Sequence, residues 1–141
     1  MEKRKKVYLL LISSIVWAII IFVLCTLPPS EIPRTKILYF DKVAHFGIFF
    51  IQSVLLSLLL KFRSRKSYFQ IIIFSTLMAF IYGGLIEILQ SRFFNRSGDL
   101  YDLIADIAGG LFGAVFYPVI LWVIRRLFLK KVYKNTLKTM V

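Results

Sequence analysis

The chain has 141 residues, of which 59% are hydrophobic and 18% charged, and its formal net charge is +12. A soluble domain of this length is more polar, and the apolar residues here run in blocks of the roughly 20 residues that a helix needs to cross a bilayer. A water-soluble enzyme is therefore excluded, and with Cys25 the single cysteine an intramolecular disulfide is excluded too.

The first predicted helix covers 7–27, after the basic run Lys3-Arg4-Lys5-Lys6. Its apolar core is longer than the roughly 7–15 residues of a signal peptide, and no Ala-x-Ala cleavage site follows. Leu24 is too bulky for a lipoprotein site at Cys25. A retained membrane helix is expected. The second helix covers 41–60, enters through Asp41-Lys42 and runs into the basic segment Lys61 to Lys66. The third covers 68–90 and carries Glu87 near its end. Asn95-Arg96-Ser97-Gly98 has turn chemistry, so the third and fourth helices should form an antiparallel hairpin. The fourth covers 100–124, with Asp106 near its start. A basic tail, 125–141, follows with Leu127, Phe128 and Tyr133 among its charges, a pattern suited to the surface of an anionic inner leaflet. Topology explains this charge without a nucleic-acid partner. With no internal repeat, low-complexity tract or linker, residues 1–141 read as a single all-α membrane domain.

Orientation follows from the basic residues. Fourteen of the nineteen Lys and Arg lie in the N-terminus, the 61–66 segment and the tail. By the positive-inside rule these face the cytoplasm, so both termini are expected inside and loops 28–42 and 91–99 outside. Counting along each helix then brings His45, Glu87 and Asp106 to within about a turn of the outer boundary and Asp102 just outside that depth, with Asp41, Lys42 and Gln90 at the same ends of their helices and Arg96 in the loop above.

Helical spacing places these groups on single faces. Asp99, Asp102, Asp106, Gly109 and Gly113 form one stripe on the fourth helix; Gly83, Glu87 and Gln90 form another on the third; Asp41, His45 and Gln52 share a face of the second. Polar stripes should turn inward, because a charge facing mid-bilayer lipid costs roughly 2.5–3.5 kcal/mol. Gly109 and Gly113 make a G-x-x-x-G notch suited to close helix contact, with Gly83-Gly84 as its candidate counterpart. Gln52 suits a helix-to-helix hydrogen bond. Trp17, Trp122, Phe93 and Phe94 suit lipid-facing or interfacial positions.

The chemistry admits several roles. Lys42, His45 and Arg96 are suited to a lipid phosphate or pyrophosphate, as on a phosphorylated polyprenol or phospholipid. Asp41, Glu87, Gln90, Asp102 and Asp106 would orient those cations or hold a divalent metal. No resident cofactor is otherwise expected. The same residues also suit a set of ion pairs locking the bundle, with Asp99 and Asp102 capping the fourth helix. Acid–base catalysis by a carboxylate and His45 is a further reading, making the chain a lipid-modifying hydrolase or transferase. No nucleophile elbow, Walker motif or Cys/His metal spacing occurs, so binding is favoured over catalysis and enzymatic status stays open. A third reading is an assembly partner whose glycine stripe docks other membrane proteins.

Asp41-Lys42-x-x-His45, Glu87-x-x-Gln90, and Arg96 with Asp102 and Gly109 stand in the order and spacing of the VanZ-like family of small bacterial membrane proteins, which the chain resembles over roughly residues 1–125. The resemblance implies four helices in the bacterial plasma membrane. It also implies a place in the cell envelope, where some members are associated with reduced susceptibility to teicoplanin-type glycopeptides. The chain departs from the family pattern at Asp106, where the family usually has Asn. Restoring Asn there is expected to be tolerated.

Overall fold

The computed structural model describes residues 2–27, 40–94 and 98–139, with side chains over 3–27, 40–94 and 98–127. Four α-helices follow in chain order: α1 (Glu2–Thr26), α2 (Phe40–Arg63), α3 (Tyr68–Phe93) and α4 (Leu100–Thr139). Each contains a stretch long and apolar enough to span a membrane. At about 1.5 Å per residue, the shortest of them, α2 with 24 residues, is about 36 Å long, against a hydrocarbon core of roughly 30 Å.

Local chemistry sets several ends. Ser67 caps α3 by accepting from the Gln70 amide at 3.3 Å, while Gln70 Oε1 accepts from the Ser67 amide at 3.0 Å. This reciprocal pair satisfies two amides that the first helical turn leaves without partners. Lys61 and Arg63 lie in the last turn of α2, where cations complement the helix dipole. α4 differs from the expected 100–124, because it runs unbroken to Thr139. Beyond Ile124 the composition turns basic, yet Arg, Lys and Leu are good helix formers and no Gly or Pro interrupts them.

α2 is the centre of the bundle and touches all three other helices, with its most extensive contact on α4. Gly109 and Gly113 explain that seam. A Cβ at either position would run into the backbone of α2, at the carbonyls of Phe46 and Phe50 respectively. At Gly110 a Cβ would meet the side-chain methyl of Ala79 on α3. The notch is thus closed by α2 and not by Gly83-Gly84, which corrects the expected glycine-to-glycine pairing. Gly84 meets nothing, and Gly83 lies against the side chain of Asp106. Two glycines suffice because one flat backbone face admits the carbonyls of a neighbour whatever side chains it bears. The covered stripe also leaves no glycine surface for an outside partner on that face.

α1 packs on α2 and α3 and makes no packing contact with α4 among the described residues. It is held by three side-chain-to-backbone hydrogen bonds. Trp17 Nε1 donates to Ile48 O at 2.9 Å, Tyr82 Oη to Ala18 O at 2.6 Å, and Gln90 Nε2 to Cys25 O at 2.6 Å. Trp17 is therefore a helix-to-helix anchor and not a lipid-facing ring, because its indole N–H needs an acceptor that hydrocarbon cannot supply. Trp122 stays exposed with Arg126 stacked 4.6 Å above its ring. Between the inner helices, Ser53 Oγ donates to Gly110 O at 2.6 Å, and Ser57 and Ser75 pair at 3.0 Å. Gln52 does not make the expected interhelical bond; its Oε1 is buried with no partner.

Candidate functional site: a buried acid–histidine–lysine cluster

The start of α2, the end of α3 and the start of α4 meet at one end of the bundle. The hairpin that brings them there is closed by side chains. Asp99 caps α4, its Oδ1 accepting from the Tyr101 amide at 2.8 Å, while Glu87 Oε2 accepts from the Asp99 amide at 2.8 Å. One carboxylate of α3 thus ties down the entrance to α4.

Two layers of charge result. In the outer layer Lys42 Nζ lies 2.6 Å from Asp41 Oδ2, 2.6 Å from Asp99 Oδ2 and 2.9 Å from Asp102 Oδ1. This layer reaches the surface, with Asp41 half exposed. The Lys42 ammonium and then the Tyr101 amide hold the Asp99 carboxyl below the ordinary carboxylate range. In the inner layer His45 Nδ1 lies 2.9 Å from Asp106 Oδ1, and its Nε2 is 3.9 Å from Asp102 Oδ2. Asp102 therefore bridges the layers, one oxygen toward Lys42 and the other toward His45. His45 and Asp102 are each 5% exposed and Asp106 is 0% exposed.

Among the described residues two oxygens in the inner layer have no hydrogen-bond partner, Glu87 Oε1 and Asp106 Oδ2. Asp106 Oδ2 occupies the space that a Cβ on Gly83 would need, since the two would be 2.6 Å apart. Gly83 is thus the hollow in α3 that admits the acid of α4. One donor atom each from His45, Glu87 and Asp106 lie within 4.8 Å of one another, and the same holds for Asp41, Asp99 and Asp102.

Of the residues singled out from sequence, Asp41, Lys42, His45, Glu87, Asp102 and Asp106 lie together. Gln90 is 2% exposed and its amide is engaged by α1, so it fixes the first helix rather than facing the cluster. Arg96 lies outside the described residues. Asp99 belongs with the cluster as a partner of Lys42 as well as a cap. The signal for that was present in Asp99 and Asp102, spaced one turn apart opposite Asp41-Lys42.

The charge balance is lopsided. Five carboxylates surround one ammonium and one imidazole among the described residues. Buried charge without a counter-charge is costly, so this arrangement favours a cation or protons over a bare anion in the inner layer. A crevice of about 260 Å³ lies among α1, α2 and α3. Ala18, Phe49, Gln52, Ala79 and Tyr82 line it; Phe49 follows His45 by one turn of α2, and none of the cluster residues is in its wall. Exposed Met78, Ile81 and Leu85 form its lip, so it opens on the lipid-facing side.

Comparison with known proteins gives one match. A family model described as VanZ/LLP1 matches residues 7–122, which takes in α2, α3, most of α1 and the whole cluster. No curated protein matches the chain, and no solved structure does. With four membrane-length helices and a match over most of its length, the chain is a multi-pass membrane protein and belongs to the VanZ/LLP1 family.

Proposed function

We propose that the protein sits in the bacterial plasma membrane with both termini cytoplasmic, as a single-domain component of the cell envelope. There it holds a phosphorylated lipid at the polar end of its bundle. Orientation rests on the fourteen Lys and Arg of the opposite end and termini. The cluster then lies just beneath the outer surface. The observation that carries the lipid reading is the closeness of cluster and crevice along α2. The cluster is built from three helices, and Phe49, one turn along α2 from His45, lines a crevice of about 260 Å³ whose wall includes exposed Met78, Ile81 and Leu85. The crevice suits a hydrocarbon tail and the charged end suits the head group of the same molecule. Lys42 at the surface of the site, with Arg96 from the adjoining loop, supplies cations for phosphate. A phospholipid and a phosphorylated polyprenol share this chemistry. Through such a precursor the protein would alter susceptibility to teicoplanin-type glycopeptides, as its family resemblance suggests.

Native mass spectrometry of the protein released from nanodiscs tests this and separates the two lipid sources by mass. The wild type should retain a phosphate-bearing lipid that Lys42→Ala and Leu85→Trp both lose. An unchanged lipid complement in both variants would overturn the reading. In cells, Glu87→Gln, Asp102→Asn and His45→Ala should each shift susceptibility to envelope antibiotics at normal protein levels; three unchanged profiles would also end it.

One observation favours a second reading. The 2.9 Å contact of His45 with Asp106, beside Glu87, is an arrangement suited to proton transfer. Under that reading the same lipid is a substrate for hydrolysis or transfer. Purified protein that turns over no phospholipid or phosphorylated polyprenol, with or without divalent metal, would remove it.

A further inference from the structure

We propose that His45, Glu87 and Asp106 bind a first-row divalent cation, Zn²⁺ or Mn²⁺. The proposal deepens the lipid reading, because such an ion is the group that would meet the lipid phosphate. The three residues come from α2, α3 and α4, and their donor atoms already lie within 4.8 Å of one another. Neighbouring ligands of an ion at about 2.1 Å stand about 3 Å apart in an octahedral arrangement. That is the separation of His45 Nδ1 and Asp106 Oδ1, at 2.9 Å.

The independent sign of a missing partner is the pair of orphan oxygens. Asp106 is 0% exposed and its Oδ2 has no hydrogen-bond partner. That oxygen is turned toward α3, against Gly83 and one turn from Glu87. Glu87 Oε1 is likewise buried and unpartnered, although Glu87 Oε2 is occupied by the Asp99 amide. Buried acceptors of this kind are rarely left alone, and an ion between the two helices satisfies both. The surroundings also fit. Asp102 Oδ2 lies 3.9 Å from His45 Nε2, the far side of the ring. A metal-bound histidine commonly donates its other N–H to such a carboxylate, which fixes ring and tautomer. The donor set selects the ion. The imidazole favours Zn²⁺ over Mg²⁺ or Ca²⁺, which take oxygen ligands, and the two carboxylates suit Mn²⁺. Three protein ligands leave coordination positions open, as in sites that bind an outside group. The excess of carboxylates, which would repel a phosphate, becomes its means of capture once the ion is in place.

The full chain, chelator-stripped in nanodiscs, is dialysed against Zn²⁺, Mn²⁺, Mg²⁺ or Ca²⁺ and the metal content measured. About one Zn²⁺ or Mn²⁺ per chain is expected, with weaker uptake of Mg²⁺ and Ca²⁺. Asp106→Asn keeps the shape and the usual family residue, so the fold should tolerate it, but in this chain it should lower metal affinity at least tenfold, which narrows the tolerance expected from the family pattern to folding alone. Glu87→Gln should do the same. Absence of stoichiometric Zn²⁺ or Mn²⁺, or equal uptake by the variants, would overturn the proposal. Should the variants fail to fold, the wild type still decides. Pulsed electron paramagnetic resonance of bound Mn²⁺ should show nitrogen coupling from His45, and Mn²⁺ without it would refute the site. Lipid retention measured in parallel keeps the two ideas apart. Lipid held equally with and without metal leaves the lipid reading standing and the ion's role rejected; metal bound without lipid does the reverse.

Discussion

Replacing Gly109 by Ala tests whether the α2–α4 seam is set by backbone contact. The added Cβ would fall within van der Waals distance of the Phe46 carbonyl oxygen, and 3.0 Å and 3.1 Å from the carbonyl carbon and Cα of the same residue. Carbon atoms are at their best separation about 3.5–4.0 Å apart. Relief therefore requires the two helices to part by roughly 0.5–1 Å, since the obstacle is backbone and not a flexible side-chain tip. Inserting a methyl into a well-packed interior costs about 1–3 kcal/mol. Against this stands the helix-propensity gain of Gly→Ala, roughly 0.5–1 kcal/mol. A net loss of about 1–2 kcal/mol is expected. Gly84→Ala is the internal control, because nothing lies within 4 Å of its Cβ position. It has only the gain. Unfolding in mixed micelles by increasing dodecyl sulfate measures both. The separation also stretches the 2.9 Å contact of His45 with Asp106 on the same seam, so metal uptake should weaken in parallel. Equal stabilities for the two alanine variants would refute the close-backbone account of the seam.

Tyr82→Phe removes the hydroxyl bond to Ala18 O and should loosen α1 by about 0.6 kcal/mol, up to about 1.7, read as faster proteolysis of the α1–α2 connection. Unaltered proteolysis would show that α1 is held by packing alone. Lys42→Met leaves Asp41, Asp99 and Asp102 facing one another; because two of those partners are a third or more exposed, the loss should be about 1–2 kcal/mol rather than that of a fully buried pair. A stability equal to wild type in the same micelle titration would contradict this. The Asp99 carboxyl is held below its ordinary value of 3.8, so its pairing contributes stability above that pH and is lost as pH falls through the lower, folded value. The stability difference between wild type and Asp99→Asn should therefore be constant from pH 7 to about 5 and shrink below about 4. A difference that grows on acidification would have the wrong sign.

The four spans were legible in the sequence because bilayer thickness imposes a length and the solvent imposes a composition. Ser67 and Gln70 carried the start of α3 in plain chemistry. Rotation about each axis was legible only where polar residues supplied a direction. Asp102 and Asp106 repeat at helical spacing opposite Asp41 and His45, and those groups meet in space. The membrane-spanning part of α1 is uncharged after Lys6 and carried no such direction, since its apolar side chains are as compatible with lipid tails as with other helices. Its placement depends on Trp17, Tyr82 and Gln90, whose N–H and O–H groups each donate to a backbone carbonyl across the boundary of α1. The glycine notch was legible as a close-contact face but not its partner, because a bare backbone accepts any helix that brings a carbonyl to it. The length of α4 was missed for a related reason: loss of hydrophobicity ends a membrane span but does not end a helix.

A photoreactive amino acid placed at Phe40 or Tyr101, both exposed beside the cluster, tests most directly whether this end holds a phosphate-bearing lipid. Trp122, toward the other end of α4 and also exposed, is the reference. Irradiation in native membranes and mass analysis of the adducts should recover one phosphorylated lipid species from Phe40 and Tyr101, absent at Trp122 and lost when Asp102→Asn is added. The same mixture of bulk lipids at all three positions, unaffected by Asp102→Asn, would contradict it.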